Sequence, residues 1–120
     1  MTPPRTPATD DPTPLSLPWI YILLALADGA RHGYGIMREV EERTDGEVTI
    51  WPATLYGAIK RMLAAGLIEE SPDRPDEGDD QRRNYYRLTE AGREVLTVET
   101  GRLARLLRIA EEKQVAGEPS

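Results

Sequence analysis

The chain has 120 residues, with 15 Lys and Arg against 21 Asp and Glu and a formal net charge of −6. That length fits one modest domain with extensions. With no cysteine and a single histidine, disulfides, thiolate metal sites and histidine metal clusters are excluded, and neither a cofactor nor a metal is expected.

No apolar run reaches the roughly eighteen residues a membrane-spanning helix needs, and no secretory signal is present. A cytoplasmic protein with no membrane partner is therefore expected. Residues 1–14 contain five prolines and four threonines and read as a disordered tail. A first helix follows from Leu15 to Asp28. Ser16 can cap it, Pro18 fits its first turn and Gly29 ends it. Trp19, Ile20, Ile22, Leu23, Leu24 and Leu26 cover nearly its whole circumference, which predicts burial on all sides. A domain this small cannot surround such a helix alone, so a second copy of the chain is expected over part of it.

His32-Gly33-Tyr34-Gly35 reads as a turn into a second helix that runs to about Arg43, with Ile36, Met37 and Val40 inward. Tyr34 stands at the N-terminus of that helix. Its hydroxyl can either meet a phosphate, which free N–H groups and the helix dipole favour, or cap a half-buried ring. His32 is read as a turn residue. Val48-Thr49-Ile50 alternates as a very short strand.

The stretch from Trp51 to Ile68 predicts a third helix of roughly fourteen residues, opened by Pro52 and closed before Gly66. Leu55, Ile59, Met62 and Leu63 form its apolar stripe. Opposite lie Ala53, Gly57, Lys60, Arg61 and Ala64, with Thr54 and Tyr56 on the shoulders. Small side chains and two cations suit a large, flat, anionic partner. An ordinary amphipathic helix with a small outer side is the plain alternative.

Leu67–Ser71 and Asn84–Leu88 read as two strands of a hairpin. Ile68, Tyr86 and Leu88 are expected on one face, with Glu69, Tyr85 and Arg87 on the other. The polar loop between them carries Arg74, Arg82 and Arg83 around an acidic middle, and the Arg82-Arg83 pair is expected against a phosphate backbone. Thr89 caps a last helix reaching about Lys113. Its apolar side includes Val95, Leu96, Val98, Leu103, Leu106, Leu107, Ile109 and Ala110, more than a small domain can cover. The expected partner is the same helix, together with the buried first helix, of a second chain; folding back on its own domain is the alternative. Trp19, Leu23, Leu96, Leu103, Leu106, Leu107 and Ala110 are the expected dimer interface.

The fold class is therefore mostly α with a small β-hairpin. A disordered tail (1–14) precedes a winged helix-turn-helix domain (15–88), and a C-terminal dimerisation helix with a short disordered end (89–120) follows. Residues 15–88 hold nine Lys/Arg against thirteen Asp/Glu, a balance of −4. Any nucleic-acid surface must come from local segregation of charge.

Five segments in unbroken order carry a resemblance: Tyr21-Ile-Leu-Leu-Ala-Leu-Ala-Asp-Gly29, His32-Gly-Tyr-Gly-Ile36, Thr54-Leu-Tyr-Gly-Ala-Ile-Lys-Arg61, Gly66-Leu-Ile68, and Arg83-Asn-Tyr-Tyr-Arg-Leu-Thr89 followed by Gly92. Together they resemble the PadR family of bacterial transcriptional regulators, in its short form with one C-terminal helix. The resemblance implies a dimeric winged-helix protein with Tyr34 and the Thr54–Arg61 helix at the DNA. It also implies that the arginine-bearing hairpin is the wing and the last helix the dimer element. One departure is local: where the family has Ser-Pro-Gly before Thr-Leu-Tyr, this chain has Trp51-Pro52-Ala53. Trp51 cannot cap as serine does, and must pack or contact a ligand.

The function expected is a homodimeric, sequence-specific transcriptional regulator, a repressor of a pseudo-palindromic operator in double-stranded DNA. Its DNA contacts would be Tyr34, Ala53, Thr54, Tyr56, Gly57, Lys60, Arg61, Arg74, Arg82 and Arg83. A small-molecule effector, where one exists, would sit in the dimer cleft between the first and last helices near Trp19. The alternative is a winged-helix protein-interaction module, which the negative charge makes admissible. No catalytic constellation can be assembled from these residues.

Overall fold

The structure, a computed structural model, describes residues 15–73 and 84–117. The expected disordered tail and the loop with Arg74, Arg82 and Arg83 lie outside the described residues. The elements in chain order are α1 (Leu17–Ala25), β1 (Arg31–His32), α2 (Gly33–Arg43), α3 (Pro52–Ala64), β2 (Ile68–Ser71), β3 (Tyr85–Leu88) and α4 (Glu90–Glu112).

Each helix has an identifiable start. The Ser16 hydroxyl accepts from the Trp19 N–H at 3.4 Å, and Pro18 occupies the first turn of α1. The end of α1 is held by two arginines from elsewhere. Arg31 Nε donates to the Ala25 carbonyl at 2.7 Å and Arg93 Nη2 to the Ala27 carbonyl at 3.0 Å. These carbonyls lack intrahelical partners, and a cation beside them also suits the helix dipole. At the end of α3, Gly66 takes φ +76 and donates to the Leu63 carbonyl, while Leu67 donates to that of Met62. This is a Schellman motif, and it turns the chain straight into β2.

The sheet has three strands in the order β1-β3-β2, so β3 is central. β1 was not anticipated: Arg31 pairs with Tyr86 and His32 with Tyr85, both antiparallel. β2 pairs with β3 from Ile68↔Leu88 to Ser71↔Tyr85, as the hairpin required. One expectation is corrected. Val48–Ile50 is no strand, because the Thr44 hydroxyl takes the Val48 N–H at 3.1 Å and Ile50 turns into the core. Tyr85 lies, as expected, on the strand face of Glu69 and Arg87, opposite Ser71, and it is buried there. β1 and the His32 ring, edge-on to Tyr85 at 5.1 Å between centroids, cover the face that a bare hairpin would have exposed.

One core joins Ile22, Leu23 and Leu26 of the α1 region to Ile36 and Val40 of α2, Leu55, Ala58, Ile59 and Met62 of α3, and Leu96 of α4. Ala58 fills the stripe of α3 where Leu63 was expected, and Leu63 faces outward. α1 is covered only in part, with Leu17 and Leu24 left exposed.

α4 is seated on the end of α3 through backbone contact. The Thr89 hydroxyl donates to the Gly66 carbonyl at 2.6 Å and accepts from the Gly92 N–H at 3.0 Å, capping α4. The Thr89 N–H donates to the Leu67 carbonyl at 3.0 Å. A methyl group at residue 92 would overlap that same carbonyl oxygen. Gly92→Ala therefore forces the two backbones apart, and overpacking of this kind costs about 1–3 kcal/mol. Thermal unfolding should show Tm lower by roughly 5–20 °C. An unchanged Tm would mean that α4 is not seated in this way.

Candidate nucleic-acid interface

Ala53, Thr54, Tyr56, Gly57, Lys60, Arg61 and Ala64 of α3 are all exposed. They make one surface because residues three and four apart share a helix face. The thirteen residues of α3 include no acid, so Lys60 and Arg61 are its only charges. No Asp or Glu occurs anywhere from Val48 to Ile68 in a chain with 21 of them. Acids flank this segment, Glu47 before it and Glu69 and Glu70 of β2 after it, and others lie on α2 (Glu39, Glu41, Glu42) and α4 (Glu90, Glu94, Glu99, Glu111, Glu112). The segregation required by the overall charge is present at α3.

The start of α2 sits against this surface. A Cβ placed on Gly33 would lie 2.6 Å from Tyr56 Oη, so the glycine makes the space in which the Tyr56 ring rests. His32 caps α2 by accepting the Gly35 N–H on Nδ1 at 3.0 Å. That bond leaves the imidazole proton on Nε2. His32 is thus a buried cap and sheet residue, more than the turn residue the sequence indicated. Tyr34 is exposed, its ring 6.4 Å from His32 and under the Arg38 guanidinium at 5.9 Å. The reading of Tyr34 as a residue sealing the core is overturned. Its ring and that of Tyr56 both stand on the outer side of the α2–α3 unit.

On the wing, Arg87 and Glu69 face each other across β3 and β2 and pair at 2.7 Å. Burial pushes the Tyr86 phenol above its usual pKa, so the strand base presents it as a neutral hydroxyl.

Among the expected dimer residues, Leu23 and Leu96 are 0 % and 6 % exposed, buried in the protomer's own core. They anchor α1 and α4 to the domain and cannot meet a second chain. Their place on an apolar helix is the same in sequence as that of an interface residue, so burial alone separates the two. Leu103, Leu106 and Leu107 are exposed, as are Val98 and Ile109; Trp19 and Ala110 are half-buried. Sequence reasoning missed Glu99, which is buried on α4 and accepts the Leu15 N–H at 3.4 Å. Arg102 lies 3.6 Å from its other oxygen. An open cleft of about 490 Å³ runs between α1 and α2, lined among others by Tyr21, Leu24, Asp28, Glu39 and Arg43. It is not the place between first and last helices where an effector was expected. Among the described residues, no three His, Asp or Glu are grouped to hold a metal, and no helix is long and apolar enough to cross a membrane.

Two helices joined by a short connection, the second with a bare outer face, backed by a small antiparallel sheet, define a winged helix-turn-helix protein. Residues 22–98 match the transcriptional regulator PadR-like family, and the chain belongs to that family. A protein carried on transposon Tn4556 of Streptomyces fradiae is 38% identical over 99 residues, 82% of this chain and 26% of that one. The chain thus spans about a quarter of that relative's length. A PadR family transcription regulator from Clostridium difficile superposes with a TM-score of 0.64 at 28% identity, over 80% of this chain and 98% of that one. Bacillus subtilis PadR, solved in complex with operator DNA, shares the fold with a TM-score of 0.58 at 22% identity, over 68% of this chain and 45% of that one.

The Gly33–Tyr56 contact gives a direct check on the geometry. Gly33→Ala meets only the far end of an exposed ring, so stability should change by less than about 1 kcal/mol. The Tyr56 ring resonances should shift in NMR spectra while those of the core stay in place. Unmoved Tyr56 signals would show that the ring rests elsewhere.

Proposed function

We propose that this protein is a homodimeric, sequence-specific DNA-binding regulator, acting as a repressor on a pseudo-palindromic operator. The observation that carries the reading is the exposed, acid-free outer face of α3. Lys60 and Arg61 suit guanine edges or phosphates, and Thr54 and Tyr56 supply hydroxyls. Ala53 and Gly57 let the helix backbone come close. Tyr34 at the start of α2 meets a phosphate, and Arg74, Arg82 and Arg83 of the wing steady the duplex beside it. Family membership and the fold shared with a protein solved on its operator support the assignment. In the dimer, Leu103, Leu106 and Leu107 of α4 pack against the second chain, with Trp19 and Ala110 at their edge. Release by a small molecule held between protomers is compatible with this arrangement.

The salt dependence of binding to the DNA flanking its own gene tests the reading. The four cations of two α3 helices alone give a slope near −3.6 in log K against log salt, and the wing arginines steepen it, so affinity should fall by at least about 10² between 50 and 200 mM salt. Lys60→Glu with Arg61→Glu should abolish the gel shift while Tm holds. A flat salt response, or a stable complex with another protein and no duplex binding at low salt, favours the second reading, a protein-interaction module. The −6 charge is the one observation on that side.

Gly57→Ala separates folding from function. Nothing lies within 4 Å of a Cβ at this position in the protomer. Alanine should therefore raise stability by up to about 1 kcal/mol through helix propensity. Operator affinity should nonetheless fall several-fold, because a methyl group holds the helix off the groove. Equal or better binding by Gly57→Ala would remove close approach from the mechanism.

Leu106 is 63 % exposed on α4 and carries the dimer prediction. Leu106→Asp should give a folded monomer by sedimentation, with weakened operator binding. A dimer that survives this change and Leu103→Asp together would place the contact on another surface.

A further inference from the structure

Trp51 is 69 % exposed at the entrance to α3. It occupies the cap position, but its side chain makes no capping bond; only its carbonyl is used, by the Leu55 N–H at 2.9 Å. Packing in the protomer, one of the two roles left open for a tryptophan here, is ruled out by that exposure. The residue is held extended, φ −76 and ψ 152, as the residue before a proline must be. Trp51, Pro52, Ala53 and Thr54 form four consecutive exposed residues that run into the bare face of α3.

We propose that the Trp51 indole packs on the sugar–phosphate backbone of duplex DNA at the rim of the groove that α3 enters. This rests on the DNA-binding reading above. Three properties favour that occupant. The N-terminal end of a recognition helix is the end that meets DNA. Indole offers a broad apolar face for deoxyribose and one N–H donor with no acceptor, which matches a phosphate oxygen that only accepts. The surroundings are complementary in charge, since the 21 residues from Val48 to Ile68 hold Lys60 and Arg61 and no acid. A ring with two side-chain torsions is also ordered at low entropic cost. Because the contact is to backbone, Trp51 adds affinity for every sequence alike and sets the register of α3 without reading bases.

The test uses tryptophan emission, for which the chain has only Trp19 and Trp51. The intact protein and Trp51→Phe are titrated with a mixed-sequence 30-base-pair duplex at low salt, with acrylamide as a collisional quencher. The intact protein should lose emission on binding, and its acrylamide-accessible fraction should fall. Trp51→Phe, reporting on Trp19 alone, should show neither change at a protein concentration where the oligomeric state is the same with and without DNA. Trp51→Ala loses one hydrogen bond to a charged phosphate and should bind about tenfold more weakly to this duplex and to operator DNA alike. A complex that forms with Trp51 still open to acrylamide, or with the affinity of Trp51→Ala unchanged, overturns the proposal and leaves the DNA-binding reading standing. Absence of any complex of the intact protein with this duplex and with the DNA flanking its own gene overturns both. Shielding of Trp51 by raised protein concentration without DNA assigns the ring to a second copy of the chain, and the proposal fails.

Discussion

The seam between the end of α3 and the start of α4 governs how the rest of the molecule is arranged. Gly66, Leu67, Thr89 and Gly92 meet there, through the two bonds of the Thr89 hydroxyl and one main-chain bond from the Thr89 N–H to the Leu67 carbonyl. Side chains that cross between elements flex about several torsions; backbone against backbone does not. A left-handed glycine ends α3, a threonine caps α4, and a second glycine lets the two approach. The direction of α4 is thereby fixed relative to the exposed face of α3. In the proposed dimer, this seam sets the angle between the two DNA-facing surfaces.

β3 does for the other end of the unit what the seam does for this one. β1 leads into α2 and β2 leaves α3, and both pair with β3. The helix-turn-helix is thus bracketed by one strand on which its entry and exit are registered. This was only half legible in the sequence. Hairpin strands announce themselves by alternation, and Tyr85-Tyr86-Arg87-Leu88 opposite Ile68–Ser71 was read correctly. A two-residue strand has no period, so Arg31-His32 gave no signal, and without it the burial of Tyr85 on the face of Arg87 could not be read. Val48–Ile50 erred the opposite way, since alternation there was real but the Thr44 hydroxyl had already taken the ladder donor. Helix boundaries were readable because their chemistry is local: Ser16, Pro52, Gly66 and Thr89 act within four residues of themselves. The exposed surface of α3 was readable for the same reason. Leu23, Leu96 and Glu99 were not, because whether an apolar or acidic residue faces a core or a partner depends on what another element brings to it.

A protein of charge −6 is an awkward DNA ligand only if its charges act together. In physiological salt the field of an exposed charge falls away over about 8 Å. A helix of thirteen residues is about 20 Å long. The carboxylates of α2 and α4 are therefore muted at the α3 surface wherever they lie more than a screening length away. In the proposed complex, what would reach the duplex is Lys60, Arg61 and the positive end of the helix dipole, with no acid in the same helix to offset them. Low salt lengthens the screening distance and lets the acids be felt. Non-specific binding should accordingly be weaker than for a basic relative, leaving a larger share of affinity to close contact. Small residues at Ala53 and Gly57 and an exposed ring at Trp51 serve that kind of affinity better than more lysines would.

Dimer strength follows from how much apolar surface remains. Leu103, Leu106 and Leu107 are each partly covered in the protomer, so burying the remainder contributes about 1 kcal/mol apiece. Association costs about 4–15 kcal/mol in lost translation and rotation. Three leucines from each chain give about 6 kcal/mol, above the lower figure and well short of the upper one. Val98 and Ile109, together with Leu17 and Leu24 on the uncovered strip of α1, are the further apolar surface available. The proposed dimer would therefore draw on α1 as well as α4, and even then by a modest margin. With a margin that small, operator DNA engaging both α3 helices would tighten that dimer by mass action, and the dimer in turn would tighten the proposed operator complex. The proposed effector, inserted between α1 of one chain and α4 of the next, would act on the weakest of these linked steps. The seam at Gly92 would then carry the displacement of α4 to α3, the surface proposed to enter the groove.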